Sequence, residues 1–326
     1  MKMKKSIVAM SLLTSLSIFA GPIKVGVLVP DGSGWAKNIK KMTTEIKEAT
    51  KGNVEFKIYY GGSQGDEQDV LRKIRIGQLH GGIFTGKTLG DINGDVRVME
   101  IPFNFNSNRT KALNTLKALT PAFSQKFEQQ NFKTLAVFEI GQVYLVSQKK
   151  VNNLNDVKSL KIWSWDGDPL VSTFIESMNF IGVPLALPDV LSSLSTGVVE
   201  AAYAPGVGIL ALQWNTKVKY LIDFPIGYSV GAFLISNKEW AKFSPADQKL
   251  VMDISNKYQE ELNAGNGKDN EDALKLMKSQ GIEFVKFSDS DIKTAQGFRA
   301  QIIKKLKGKL FSEEIFKKLE LEISKK

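Results

Sequence analysis

The chain has 326 residues, 43% of them hydrophobic and 24% charged, which suits a soluble protein with enough core for two domains rather than one. It contains no cysteine, which excludes disulfides, thiolate metal sites, a cysteine nucleophile and a lipid-modified N-terminal cysteine. The net charge of +10 is spread along the chain on lysines, with one cluster at Lys304–Lys309, and lacks the concentrated basic face with interleaved aromatics that nucleic-acid binding needs.

The first twenty residues read as a secretory signal peptide. Lys2, Lys4 and Lys5 form a positive start, Ile7 to Phe19 is an apolar run, and Ala20 offers a cleavage site. The run is shorter than the roughly 20 residues a spanning helix needs. The expectation is an exported protein, free in a bacterial periplasm, whose fold begins near residue 22.

Residues 23–29, "IKVGVLV", predict a strand. A helix follows from a cap at Ser33, with Trp35, Ile39, Met42 and Ile46 at helical spacing. "NVEFKIYY" predicts a second strand. "GGSQGDEQ" predicts a turn into a helix carrying Val70, Leu71 and Ile74 and ending at Gly77, and "GGIFTG" a third strand. This βαβαβ order implies a parallel sheet with right-handed crossovers, whose ligand lies beyond the carboxyl ends of the strands. The loops at 31–35, 61–66 and 84–87 are placed on that edge.

Further along, "FKTLAVFEIG" and "VYLVSQ" predict two strands, "LKIWSW" a strand before a helix from about Asp168 to Met178, "PDVLSSLSTG" a short helix, and "VVEAAYAP" and "VGAFLIS" two more strands. Ser244, Pro245 and Asp247 form a strong helix start. "NAGNG" (Asn263 to Gly267) interrupts the apolar face that follows, which predicts a kinked helix or two helices crossing between domains. The fold class is α/β, with two domains and a mainly helical C-terminal part.

Catalytic chemistry is hard to find. The single histidine, His80, reads as structural; no His/Asp/Glu spacing suggests a metal; and "GGSQGD" lacks the Lys-Ser/Thr pair of a P-loop. "DGD" at Asp166 to Asp168 lacks the rest of a calcium loop. No nucleophile sits with a base, so binding is expected and turnover is not, and no cofactor is expected.

Five motifs in order carry a resemblance: "YYGGSQGDEQDVLRKIRIGQLHGG", "MEIPFNF", "VNNLNDVKSLKIWSW", "DVLSSLSTGVVEAAYAP" and "NKEWAKFSPADQ". Together they resemble the solute receptors of TRAP (tripartite ATP-independent periplasmic) transporters, the DctP-type binding proteins, over nearly the whole mature chain. The resemblance implies a two-domain periplasmic binding protein, type II-like, with a long C-terminal helix spanning discontinuous domains. These are placed at 22–142 plus about 232–262, and 143–231 plus about 263–326. It also implies a small-molecule ligand bound between the domains and TRAP membrane permease subunits as partners; a helical-repeat periplasmic partner is a further expectation.

The chain departs from the family in two places. Trp163 stands where the family's typical member has the arginine that pairs with a ligand carboxylate, and Ala204, after Tyr203, where it often has Asn. An indole cannot neutralise a buried carboxylate. The expected pocket is therefore aromatic, drawn from Trp35, Phe84, Phe103, Phe105, Tyr144, Trp163, Trp165 and Tyr203, with Gln142 and Glu139 as polar groups, and the expected ligand is apolar or weakly polar. About half of these aromatics are expected to face the cleft. Glu139 could instead pair with a cationic ligand or form an interdomain salt bridge. The alternatives are an organic-acid receptor that uses another basic group, or a periplasmic sensor on the same fold.

Overall fold

A computed structural model describes residues 21–325; the expected signal peptide lies outside the described residues. The protein is α/β. Ten strands form one hydrogen-bonded sheet: β1 Ile23–Gly26, β2 Phe56–Tyr59, β3 Gly81–Thr85, β4 Phe132–Ser147, β5 Lys161–Trp165, β6 Ile181–Leu185, β7 Ala201–Pro205, β8 Tyr220–Ile222, β9 Gly227–Ser236 and β10 Glu283–Val285. The main order is β2-β1-β3-β9-β4-β7-β5-β6, and β8 joins β10 to β4.

Each half of the sheet carries a parallel group. β1 lies between β2 and β3, parallel to both, and β5 lies parallel to β6 and β7. The long antiparallel pair β4 and β9 runs through the middle and belongs to both halves. One lobe gathers around β1–β3 and the other around β5–β7.

Local signals start the helices, at Ser33 and Ser244 with the caps expected. Ser33 Oγ accepts from the Ala36 amide at the head of helix Gly34–Ala49, Asp66 from Asp69 before helix Glu67–Arg75, and Ser244 from Asp247 before helix Pro245–Ser279. Each cap satisfies an amide that the first turn leaves unpaired.

Two interruptions read from local signals are overridden. The segments 132–141 and 143–148 form one strand, β4, with a register shift between Glu139 and Gly141 rather than a break. The helix from Pro245 runs unbroken for 35 residues. The physical reason is shared. Asn263 Oδ1 accepts the Glu139 amide at 2.9 Å, Asn266 Nδ2 donates to the Glu139 carbonyl, and Asn270 Nδ2 donates to the Ile140 carbonyl at 2.9 Å. The polar stripe expected to break the helix satisfies the backbone of the bulged strand. Gly141 sits at φ +141°, and a Cβ there would strike the Asn270 side chain, so the bulge needs glycine.

The C-terminal helices pack where the two lobes meet, against helix Arg109–Gln129 and against helix Pro169–Met178. Ile302, Leu306, Phe311, Ile315 and Leu319 share a core with Leu116, Phe123 and Phe127 of helix Arg109–Gln129. Amphipathic periodicity names their buried face without naming what covers it.

Candidate functional site

The carboxyl ends of β3, β5 and β7 converge on a cavity of about 210 Å³. Thr85 and Gly86 close β3, Trp163 and Trp165 end β5, and Tyr203 to Pro205 end β7; Phe174 of helix Pro169–Met178 and Tyr228 of β9 complete the wall. This is the edge where parallel strands present their loops to a ligand. Of the three loops expected there, only the one at 84–87 reaches the cavity.

Trp163 anchors the aromatic wall. Its ring stacks on Tyr203 (centroids 4.8 Å apart, planes 22° apart) and meets Trp165 at 5.6 Å and Trp214 edge-on at 5.4 Å. Its indole N–H donates to the Leu185 carbonyl at 3.0 Å. That donor is used within the protein and the side chain is 2% exposed, so Trp163 backs the aromatic wall and offers the cavity no free donor. Tyr203 is half-buried, and its hydroxyl accepts from the Trp165 amide at 3.4 Å. Burial, reinforced by the Asp168 charge, pushes the Tyr203 phenol far above its usual range, so it is a neutral group at any working pH.

The polar wall holds a buried ion triad. Arg97 Nη2 donates to Asp168 Oδ2 at 2.8 Å, and Arg97 Nε lies 3.0 Å from Glu100 Oε2. The Arg97 and Asp168 side chains are each 3% exposed. Burial alone would lower the arginine, but the Asp168 and Glu100 charges outweigh it and hold its pKa above the ordinary value. Burial raises Glu100, partly countered by Arg97 and by the Val230 amide, which donates to Glu100 Oε1 at 3.2 Å. Gly86 makes room for this arrangement: a Cβ there would run into the Glu100 carboxylate. The other lysine or arginine in the wall, Lys87, is paired with Asp91 at 2.8 Å. Each of these two cations already faces a carboxylate.

Of the ten residues expected at the site, Trp163, Trp165 and Tyr203 reach this cavity; the others are placed elsewhere. Phe84 is fully buried in the first lobe's core and Phe105 packs edge-on against Tyr228 at 5.6 Å. Trp35 packs against Phe138 at 5.0 Å, and Phe103 stacks on Phe224 at 5.7 Å. Tyr144 lies in the second lobe's core and donates its hydroxyl to Gln142 Oε1 at 3.1 Å; Gln142 faces a small separate hollow beside Phe103. Glu139 is fully buried and already holds the Arg109 guanidinium and the Tyr228 hydroxyl, so it has an in-chain cation in place of a ligand's. An aromatic residue in a strand or turn looks the same in sequence whether it faces a core or a cleft.

Sequence reasoning passed over Arg97, Glu100 and Asp168 as site residues. A signal existed for Arg97 and Glu100: "DVRVMEI" places three charges in an apolar run, and such charges are seldom buried unpaired. His80 lies at the other end of β3, where its Nδ1 accepts the Lys24 amide at 3.1 Å, consistent with a structural role.

The sequence pattern of the bacterial extracellular solute-binding proteins, family 7 (DctP), matches residues 25–309. The chain belongs to this family. Its fold is that of the TRAP periplasmic solute-binding proteins. A crystal structure from Desulfovibrio salexigens with bound orotic acid superposes with a TM-score of 0.84 at 21% identity, covering 93% of this chain and 98% of that one. A Bordetella pertussis extracytoplasmic solute receptor binding pyroglutamic acid gives 0.85 at 18% identity, covering 94% and 100%. Among curated proteins, the 2,3-diketo-L-gulonate-binding periplasmic protein of Escherichia coli is 22% identical over 255 residues, covering 76% of this chain and 75% of its own length.

DctP-type proteins are receptors rather than enzymes, and they work with membrane permease components. Among the described residues, no helix is long and apolar enough to cross a membrane.

Proposed function

We propose that this DctP-type protein binds a small, flat ligand without net negative charge between its lobes and delivers it to a TRAP-type permease. The observation that carries this reading is Trp163. It stands in the cavity wall, stacked on Tyr203, at the position where the family resemblance expects a carboxylate-binding arginine. The neighbouring wall is formed by Trp165, Leu170, Phe174, Leu187 and Ile226. A mostly apolar lining with a few placed polar groups suits a small organic ligand. A carboxylate brought here would lose its water without gaining an unpaired cation.

The domain division proposed is 22–142 with about 232–262, and 143–231 with about 263–326, the last helices sharing a core with helix Arg109–Gln129 and with Leu170 of helix Pro169–Met178. Closure would then bring Arg97 and Glu100 of one domain against Asp168, Trp163 and Tyr203 of the other. A helical-repeat partner belongs to this reading only for a ligand that leaves water readily.

A second reading is favoured by the relatives. The D. salexigens and B. pertussis proteins hold orotic and pyroglutamic acid, and a Haemophilus influenzae structure holds L-gulonate. On this reading a small organic acid would displace Asp91 from Lys87, a pair whose carboxylate is about one-third exposed.

Native mass spectrometry of the mature protein, Gly21 to Lys326, followed by solvent extraction of whatever co-purifies, separates the two. A neutral, largely apolar molecule is expected; a small carboxylic acid in the cleft would overturn the first reading and support the second.

A further inference from the structure

Asp168 uses its two oxygens differently. Oδ1 accepts the Leu170 and Val171 amides at 2.9 and 3.3 Å and so caps helix Pro169–Met178. Oδ2 accepts from Arg97 Nη2 at 2.8 Å, inside the cavity wall. Arg97 belongs to the 3₁₀ segment Gly94–Glu100 of the first lobe, whereas Asp168 follows β5 of the second, three residues beyond Trp165. A carboxylate of one lobe therefore sits on an arginine of the other. This is the contact that a carboxylate ligand makes with a guanidinium. Arg97 does not need it for neutrality, because Glu100 lies 3.0 Å from its Nε and is itself held by the Val230 amide. Asp168 is the second anion on one cation.

We propose that Asp168 is the resident occupant of Arg97 and sets the specificity of the receptor by refusing anionic ligands. The inference rests on the reading that the ligand carries no net negative charge, and it names the residue that enforces it. An incoming carboxylate would be a third anion around a single buried guanidinium, repelled by two charges at low effective dielectric. A neutral ligand meets no such cost. The capping role makes the substitution informative. Asparagine caps a helix as well as aspartate does and has nearly its shape, so Asp168→Asn removes the charge, keeps the cap and frees Arg97.

The test is a set of tryptophan-fluorescence titrations of the purified, ligand-stripped protein with acetate, benzoate and orotate. The unsubstituted protein is expected to bind none of them. Asp168→Asn is expected to bind at least one with an affinity raised by about tenfold or more. The double variant Arg97→Gln/Asp168→Asn is expected to lose that gain. Circular dichroism and thermal melts establish that each variant is folded; Asp168→Ser, which also caps, replaces the asparagine variant should that one unfold. A folded Asp168→Asn protein with no gain overturns the role of Asp168, while a neutral co-purified molecule would leave the reading of the ligand standing. An acid bound by the unsubstituted protein overturns both.

Discussion

The Trp163 ring lies over the Tyr203 ring with centroids 4.8 Å apart, and its N–H is held by the Leu185 carbonyl. The two residues come from β5 and β7, neighbouring parallel strands of the second lobe. The wall is therefore built on strands, its rings are locked by one another, and its chemistry is that of an aromatic face.

Replacing Trp163 separates packing from binding. Trp163→Phe keeps a ring over Tyr203 and loses the Leu185 contact; about 1–3 kcal/mol of stability is expected to go, as for a large-to-smaller change in a tight core. Affinity for the natural ligand should fall by about tenfold, within the range one lost aromatic contact accounts for. Trp163→Arg places a guanidinium in the cavity and should abolish retention of a neutral ligand. Calorimetric titration of the extracted ligand into the folded variants checks both. Unchanged affinity in Trp163→Arg would falsify a role for Trp163 in binding.

Glu139 and Arg109 give a second prediction. Glu139 is fully buried, and its carboxylate is held by the Arg109 guanidinium and by Tyr228 Oη at 2.5 Å. Burial, with the Glu139 charge beside it, holds the Tyr228 phenol well above its usual range, so Tyr228 remains a donor. Arg109→Met leaves a buried carboxylate without its cation, which costs about 2–4 kcal/mol, somewhat less than for a wholly buried pair because the Arg109 side chain is 37% exposed. Arg109→Met/Glu139→Gln removes both charges and should recover most of that loss. Urea unfolding of the three proteins measures it; equal midpoints for Arg109→Met and the unsubstituted protein would show that the pair holds nothing.

The contrast between these clusters explains what could be read from the sequence. The caps at Ser33 and Ser244 were legible because cap and amide lie within three residues of one another. The βαβ order was legible from alternation and helical spacing. The unbroken β4 was not, and the unbroken helix Pro245–Ser279 followed from the family resemblance rather than from local signals. Gly141 and Asn263–Gly267 are breakers when taken alone, and become compatible only because Asn266 and Asn270 meet the bulge from more than a hundred residues away. The site was half legible. Trp163 stood out against a family pattern and Trp165 and Tyr203 as aromatics beside its two departures, whereas the Arg97–Asp168 pair needs two segments that only the folded sheet brings together. Trp35, Phe84, Phe103 and Phe105 were indistinguishable from pocket residues because core and cleft draw on the same side chains.

Glu67 gives a pH dependence. It is 3% exposed, and its carboxylate accepts from the Thr85 amide at 3.0 Å and from Thr85 Oγ1 at 3.0 Å, at the point where β3 turns into the cavity. Burial raises its pKa to about 7, despite the lowering effect of the Thr85 and Thr88 hydrogen bonds. The folded value lies above the unfolded one, so the folded state binds more protons between about 4.5 and about 7. Its contribution to stability is therefore fully present below pH 4.5 and is lost as pH rises through 7. Glu67→Gln keeps an acceptor for the Thr85 amide and cannot ionise. Relative to the unsubstituted protein, this variant should gain stability on going from pH 5 to pH 8, by an amount on the order of 1–3 kcal/mol. Urea midpoints at the two pH values measure the difference. A gap between the two proteins that does not change with pH would mean that Glu67 stays ionised in the fold, and that the Thr85 contacts outweigh its burial.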